Sequence, residues 1–288
     1  VALKILRRTL FVVRLSTVAF LLSACGGADT PQQHGLLGIV TSAVGLNEAA
    51  PKPAEVLDVV VDASEGSPGS IATVETTVNR ALVYAAERPG SEVRVWALGL
   101  ELSDTRLLAS VRSAAPKRRG ERARKAEAQR FMDASKPLLL QAVRPIFEHP
   151  ATKQSPIAEG IARVAYSRAP ARIHRKMIVI TDAREVSGGP LRVDFECDKK
   201  LPDAKTFVAT LHRNALLTAH TLDNTDVYFA FVALEEIPKR GCPVTLARAQ
   251  QIELVWRAAC AAAGATTVSF TTDGPQLDTP SVRPGGAL

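Results

Sequence analysis

Cysteine is sparse in this chain: 288 residues carry four, at positions 25, 197, 242 and 260. No two form a Cys-x-x-Cys pair, which argues against a structural zinc site. Phenylalanine, tyrosine and tryptophan together make up 5% of the residues. That is too little for a surface that stacks on exposed bases, and no nucleic-acid partner is expected. The five histidines, His34, His149, His174, His212 and His220, never fall into His-Glu-x-x-His spacing. There is no Gly-x-Ser-x-Gly nucleophile elbow and no phosphate-binding loop. Common hydrolase, redox and nucleotide-binding frameworks thus lack their signatures.

What is present suits a globular chain. Hydrophobic residues make up 46% and charged residues 23%, enough for one large domain or two small ones. The N-terminal end is set apart. Lys4, Arg7, Arg8 and Arg14 precede Leu15–Ala24, an apolar stretch too short to span a bilayer. A basic start, an apolar core and small residues form an export signal. Its ending, Leu22-Ser23-Ala24-Cys25, resembles a bacterial lipobox. The resemblance implies cleavage before Cys25 and lipidation of its thiol, leaving the protein tethered to a membrane through Cys25. A plain secretory signal or an uncleaved anchor is the alternative. Gly26 follows the cysteine where an aspartate would retain the protein at the inner membrane. In a two-membrane envelope this favours the outer membrane, facing the periplasm. Without residues 1–24, 32 basic residues face 29 acidic ones, a net of +3. Much of the apparent basicity belongs to the signal.

Residues 25–53 hold Gly26, Gly27, Pro31, Pro51 and Pro53 and are expected to form a tether. Residues 273–288, with Pro275, Pro280, Pro284, Gly285 and Gly286, are expected to form a disordered tail. Between them, over 54–272, strand and helix signals alternate. Strands are expected at 56–62, 92–98, 177–182, 227–234 and 266–270, with an edge strand at 107–111. Helices are expected after the first strand, over a charged stretch at 117–130, from Ser135-Lys136-Pro137 to near Pro145, and over 155–166, 203–220 and 243–263. This alternation predicts an α/β fold, doubly wound, with a mostly parallel six-stranded sheet and helices on both faces. Export permits disulfides, and a Cys197–Cys242 bridge is expected from their placement on loops at one end of the sheet. Cys260, inside Ala258-Ala259-Cys260-Ala261-Ala262, is expected to be buried. The run Lys117, Arg118, Arg119, Arg122, Arg124, Lys125 and Arg130 is interrupted by Glu121 and Glu127. It reads first as a solvated helix and second as a contact for anionic headgroups or an acidic partner.

Two buried-type strands each lead into an aspartate: Val56-Leu57-Asp58-Val59-Val60-Val61-Asp62 and Met177-Ile178-Val179-Ile180-Thr181-Asp182. With strand order 3-2-1-4-5-6, Asp62 and Asp182 would face each other across the crevice at the carboxyl ends of the first and fourth strands. Ser64, Ser67 and Ser155 lie nearby in the reading. Carboxylates and hydroxyls without soft ligands suit a hard cation such as Mg²⁺, with Mn²⁺ as a substitute. Each residue also has a plainer role. Ser155 before Pro156 suits a helix N-cap, Asp62 could cap its turn, and Arg184 could pair with Asp182.

Asp62-Ala63-Ser64-Glu65-Gly66, Ser155-Pro156-Ile157 and Ile180-Thr181-Asp182-Ala183 are similar, in order, to three signatures of von Willebrand factor A-type domains. The resemblance covers about residues 54–272. It implies a metal-dependent adhesion site in which Asp62, Ser64, Ser155 and Asp182 contact the ion, with Ser67 beside the absent third-position serine. A partner protein's carboxylate would complete the coordination. The chain departs from the pattern at Gly66, at Ser155 in place of threonine and at Ala183 in place of glycine. The expectation is therefore an envelope lipoprotein that binds a protein and is not an enzyme. The alternatives are a metal-free scaffold and a hydrolase using a metal-bound water.

Overall fold

The computed structural model describes residues 53–277, except 66, 100–103, 115–119, 149–152, 168–172, 189–190, 233–241 and 243–244. The export signal, Cys25, nearly all of the expected tether and the chain beyond Leu277 lie outside the described residues. Among the described residues no helix is long and apolar enough to cross a membrane.

The runs of β-branched residues become the centre of the molecule. Strands β1 (Glu55–Val61), β2 (Glu92–Ala97), β3 (Arg106–Arg112), β4 (His174–Ile180), β7 (Thr225–Ala230) and β8 (Thr267–Thr271) form one sheet in the order β3-β2-β1-β4-β7-β8. All neighbours are parallel except the β2–β3 pair, which is antiparallel. A short hairpin of β5 (Val186–Ser187) and β6 (Val193–Asp194), not anticipated from the sequence, stands apart.

Alternation along the strands divides the core in two. Val60, Met177, Val179, Val227 and Phe229 pack with α3 (Ile157–Tyr166), α4 (Ala204–Arg213) and α5 (Leu246–Ala262). Leu57, Val59, Val61, Ile178 and Ile180 pack with α1 (Ile71–Glu87) and α2 (Glu121–Glu148). Each inner strand buries both of its faces, which is why these strands read as continuous apolar runs.

Several expected boundaries move. The charged stretch and the helix from Ser135 form one 28-residue helix that runs through Pro137 and Pro145. Proline removes a backbone donor, but full burial of Leu139 and Val143 holds the helix across it. The helix expected to reach His220 stops at Arg213; Ala215 and His220 take left-handed φ of 54° and 68° while Leu216, Leu217 and Leu222 turn into the core. The tail expected from 273 instead packs as far as Leu277, which is 6% exposed, and Arg80 Nη1 donates to Pro275 O at 3.2 Å.

Charged groups cluster where the strands begin. His174 lies between Glu55 and Asp226, with Nδ1 2.8 Å from Glu55 Oε1 and Nε2 3.1 Å from Asp226 Oδ2. These bonds, that to Asp226 first, raise the imidazole to about 9. Burial pushes Asp226 up, but bonds from His174 and Thr267 outweigh it and hold the carboxyl at about 2. The buried Asp58 accepts from Arg175 Nη2 at 2.6 Å and from Trp96 Nε1 at 2.8 Å.

Candidate functional site

The site lies where β1 and β4 end side by side. Their register pairs Val61 with Ile180, and Asp62 N donates to Ile180 O at 3.1 Å. The next residues on the two strands are Asp62 and Thr181, and successive strand residues face opposite sides. Thr181 therefore meets Asp62, and Asp182 follows it just beyond the end of β4.

Asp62 is 1% exposed. Its Oδ2 accepts from Ser155 Oγ at 2.6 Å and from Thr181 Oγ1 at 2.9 Å. Its Oδ1 accepts from Ser64 N at 3.0 Å, so the aspartate does cap its own turn. Thr181 Oγ1 in turn accepts from Ala183 N at 3.2 Å, which leaves its proton for the carboxylate. Among the described residues no basic side chain pairs with Asp62.

Ser155 does not cap the following helix. Pro156 is the N-cap residue and has no side-chain bond to offer. Ser155 is held by two backbone bonds to Val186, at 2.8 and 3.0 Å, which aim its hydroxyl at Asp62. The missing cap comes from Glu185, whose Oε2 accepts from Ala158 N at 2.8 Å. Glu185 is wholly buried, and burial pushes its carboxyl up to about 8, with Glu159 and Asp62 adding repulsion. Nothing in its sequence neighbourhood marks Glu185 as the cap of a distant helix.

The remaining expected ligands are placed differently. Ser67 Oγ donates to the Asp62 carbonyl at 2.8 Å and accepts from Gly69 N at 3.2 Å. It braces the loop after β1 rather than facing the carboxylate. Gly69 is required there, because a Cβ would collide with the Asp62 carbonyl oxygen. Ser64 is half-buried and bonds to Asp62 through its backbone; Glu65 is exposed. Asp182 Oδ1 accepts from Arg184 N at 3.0 Å, and its Oδ2 lies 3.9 Å from Arg184 Nε. Ala183 takes a left-handed φ of 63°, and its carbonyl accepts from the buried Trp256 Nε1 at 2.8 Å.

Thr181 is the residue the sequence reading missed. The signal was available: in parallel strands ending in register, the hydroxyl before Asp182 shares the parity of Asp62.

Outside this site, Cys197 and Cys242 form a disulfide with Cα atoms 5.3 Å apart, and Cys260 is free and buried. Asp194, Glu196 and Cys197 lie close together, but the sulfur is in the disulfide and Asp194 Oδ1 accepts from both following backbone amides. Lys117–Arg119 lie outside the described residues. Arg122, Arg124, Lys125 and Arg130 are exposed on α2, with Lys125 2.9 Å from Glu121, as in a solvated helix.

No family model and no curated protein matches the sequence. Among solved structures the chain is similar to the pilus adhesin SpaC from Lactobacillus rhamnosus GG in its open conformation. The TM-score is 0.46 and the identity 9%, covering 79% of this chain and 28% of the adhesin. It is also similar to a mutant of the PilB minor pilin from Streptococcus sanguinis, with a TM-score of 0.40 and 8% identity, covering 78% of this chain and 59% of the pilin. A third is proximal thread matrix protein 1 from the mussel byssus, with a TM-score of 0.32 and 14% identity, covering 73% of this chain and 49% of that protein. The chain thus spans less than two thirds of each of these proteins.

Proposed function

We propose that residues 54–272 form a doubly wound, von Willebrand A-like binding domain that holds a divalent cation at Asp62 and engages a partner protein through it. One observation carries this reading: a buried carboxylate at the carboxyl ends of two adjacent parallel strands, ringed by hydroxyls, with no basic side chain as counter-charge among the described residues. A buried charge left without an opposite charge is costly, and a cation beside it removes the cost. The donors are carboxylate and hydroxyl oxygens, which fit Mg²⁺ or Mn²⁺. Asp62 with the hydroxyls of Ser155, Thr181 and Ser64 would hold the ion; Asp182 would contribute through water, and Ser67 would brace the loop. A carboxylate from the partner would fill an open position. The role is binding and not turnover.

A second reading rests on the same bonds. Two hydroxyls and one amide already satisfy Asp62, so the ring can serve as a metal-free structural knot in an envelope scaffold protein. The envelope placement, with a lipid on Cys25, belongs to both readings. The lipobox-like Leu22-Ser23-Ala24-Cys25 supports it, and so does the Cys197–Cys242 disulfide, a bond suited to an oxidising compartment.

Thermal unfolding with Mg²⁺ and Mn²⁺, on the wild type and on Asp62→Asn, separates the two. A ligand that binds only the folded state raises the midpoint. The cation reading expects a saturable rise in the wild type and none in the variant. Equal responses in both, or none in either, leave the knot.

A further inference from the structure

A groove of about 770 Å³ runs between the C-terminal end of α1, the end of β3 and the first turns of α2. Arg112, Arg124, Lys125 and Arg130 line it, with Pro89 and Phe131 between them. Three acidic residues line it too. Glu87 and Glu121 each stand beside a cation, Arg88 at 3.7 Å and Lys125 at 2.9 Å, and Glu127 has its Oε2 buried. Arg124, Lys125 and Arg130 are exposed, as is Arg122 next to them. The patch thus presents positive charge outward.

The groove lies at the end of the sheet where β1 begins. Ala54 N donates to Gly90 O at 3.0 Å, Gly90 N donates to Ser113 O at 3.0 Å, and Arg112 Nε donates to Gly90 O at 3.2 Å. Ser113 also lines the groove. The chain coming from Cys25 therefore enters the domain at the groove's edge. Residues 25–52 reach at most about 100 Å, whatever their path. With a lipid on Cys25, the bilayer stays within that distance, and weak electrostatic attraction acts at high effective concentration. Asp62 follows the other end of β1, about 20 Å away along a seven-residue strand.

We propose that this groove docks on a bilayer rich in anionic phospholipid, with Arg124, Lys125 and Arg130 on headgroup phosphates. The docked domain turns the Asp62 rim away from the membrane, toward a partner. The proposal rests on the lipid-tether reading for its setting, but the surface is tested without the lipid, so the two can fail separately. The tether itself is read from the mass of the N-terminal peptide of the exported protein.

The described domain lies whole within a compact unit that begins at Ala50. The test therefore uses the chain from Cys25 to Leu288 with Cys25→Ser, which carries neither signal nor lipid. It is floated with vesicles of phosphatidylcholine and phosphatidylglycerol in equal parts, and with vesicles of phosphatidylcholine alone. The protein is expected to float with the mixed vesicles in low salt, to be released in high salt, and to ignore phosphatidylcholine. Each basic residue at an anionic surface contributes about fivefold in affinity, so Arg124→Glu with Arg130→Glu is expected to lose at least about twentyfold. Lys199→Glu with Lys200→Glu makes the same charge change at another exposed place and is expected to stay within about threefold of the parent. The proposal is overturned by no binding to the mixed vesicles, by equal binding to phosphatidylcholine, or by equal losses in the two double variants. Binding of poly-L-glutamate without binding of vesicles would assign the groove to an acidic protein and overturn it as well. Should the α2 reversal fail to fold, Arg124→Gln with Arg130→Gln takes its place in the same comparison.

Discussion

Thr181 donates its hydroxyl proton to Asp62 Oδ2 across 2.9 Å, joining the ends of β4 and β1. The bond is buried at both ends and its acceptor is a carboxylate. Hydrogen bonds of this kind contribute more than neutral ones.

Thr181→Val keeps the shape and removes the bond. It is expected to lower stability by about 1.5–3 kcal/mol, since Asp62 loses a donor and Ala183 N loses its acceptor. Urea unfolding at neutral pH without added metal measures this. A loss below about 0.5 kcal/mol would show that the bond contributes little.

Ala183 gives a sharper contrast. An L-residue in the left-handed region costs about 1–2 kcal/mol, which glycine avoids. Glycine also gives the unfolded chain more freedom, by about 0.5–1 kcal/mol. Ala183→Gly is therefore expected to stay within about 1 kcal/mol of wild type. Ala183→Val, β-branched and fully buried at a positive φ, is expected to cost more than about 2 kcal/mol. Denaturant midpoints that rank the two the other way would remove the strained-turn argument.

Stability is expected to fall as pH rises from mildly acidic to alkaline. His174, raised to about 9, contributes fully below the unfolded value of 6.5, and the contribution is lost as pH rises through 9. Glu185 stays neutral in the fold up to about 8, while the unfolded carboxyl ionises near 4.5. Its effect is a loss of stability that grows from pH 4.5 and levels off near 8. Asp226, lowered to about 2, acts at the other end: its contribution is present above 3.8 and is lost as pH falls through 2. Melting temperature against pH should peak at about pH 4–5 and decline toward 9. Glu185→Gln should flatten the early part of that decline and His174→Gln the later part. Parallel curves for all three proteins would exclude both groups as its source.

The sheet was legible because its strands are unbroken β-branched runs separated by helical periodicity, and the supposed order 3-2-1-4-5-6 matches the observed neighbours β1 and β4. The face each rim residue takes was harder to read. The register opposes 61 to 180, so the hydroxyl of Thr181, one residue before Asp182, is the group that bonds Asp62. The Pro137 boundary failed for a different reason. A helix break is a local preference, and the burial of Leu139 and Val143 overrides it. Glu185 was illegible because its partner, Ala158 N, is 27 residues away in sequence.

Asp62 and Thr181 are 119 residues apart in the chain, with α1, β2, β3, α2, α3 and β4 between them. Forming this contact requires a large loop to close. A nascent or proteolysed piece ending before β4 carries half of it and has no means of assembling the rest. The Asp62–Thr181 bond can form only once the chain has been made past Thr181.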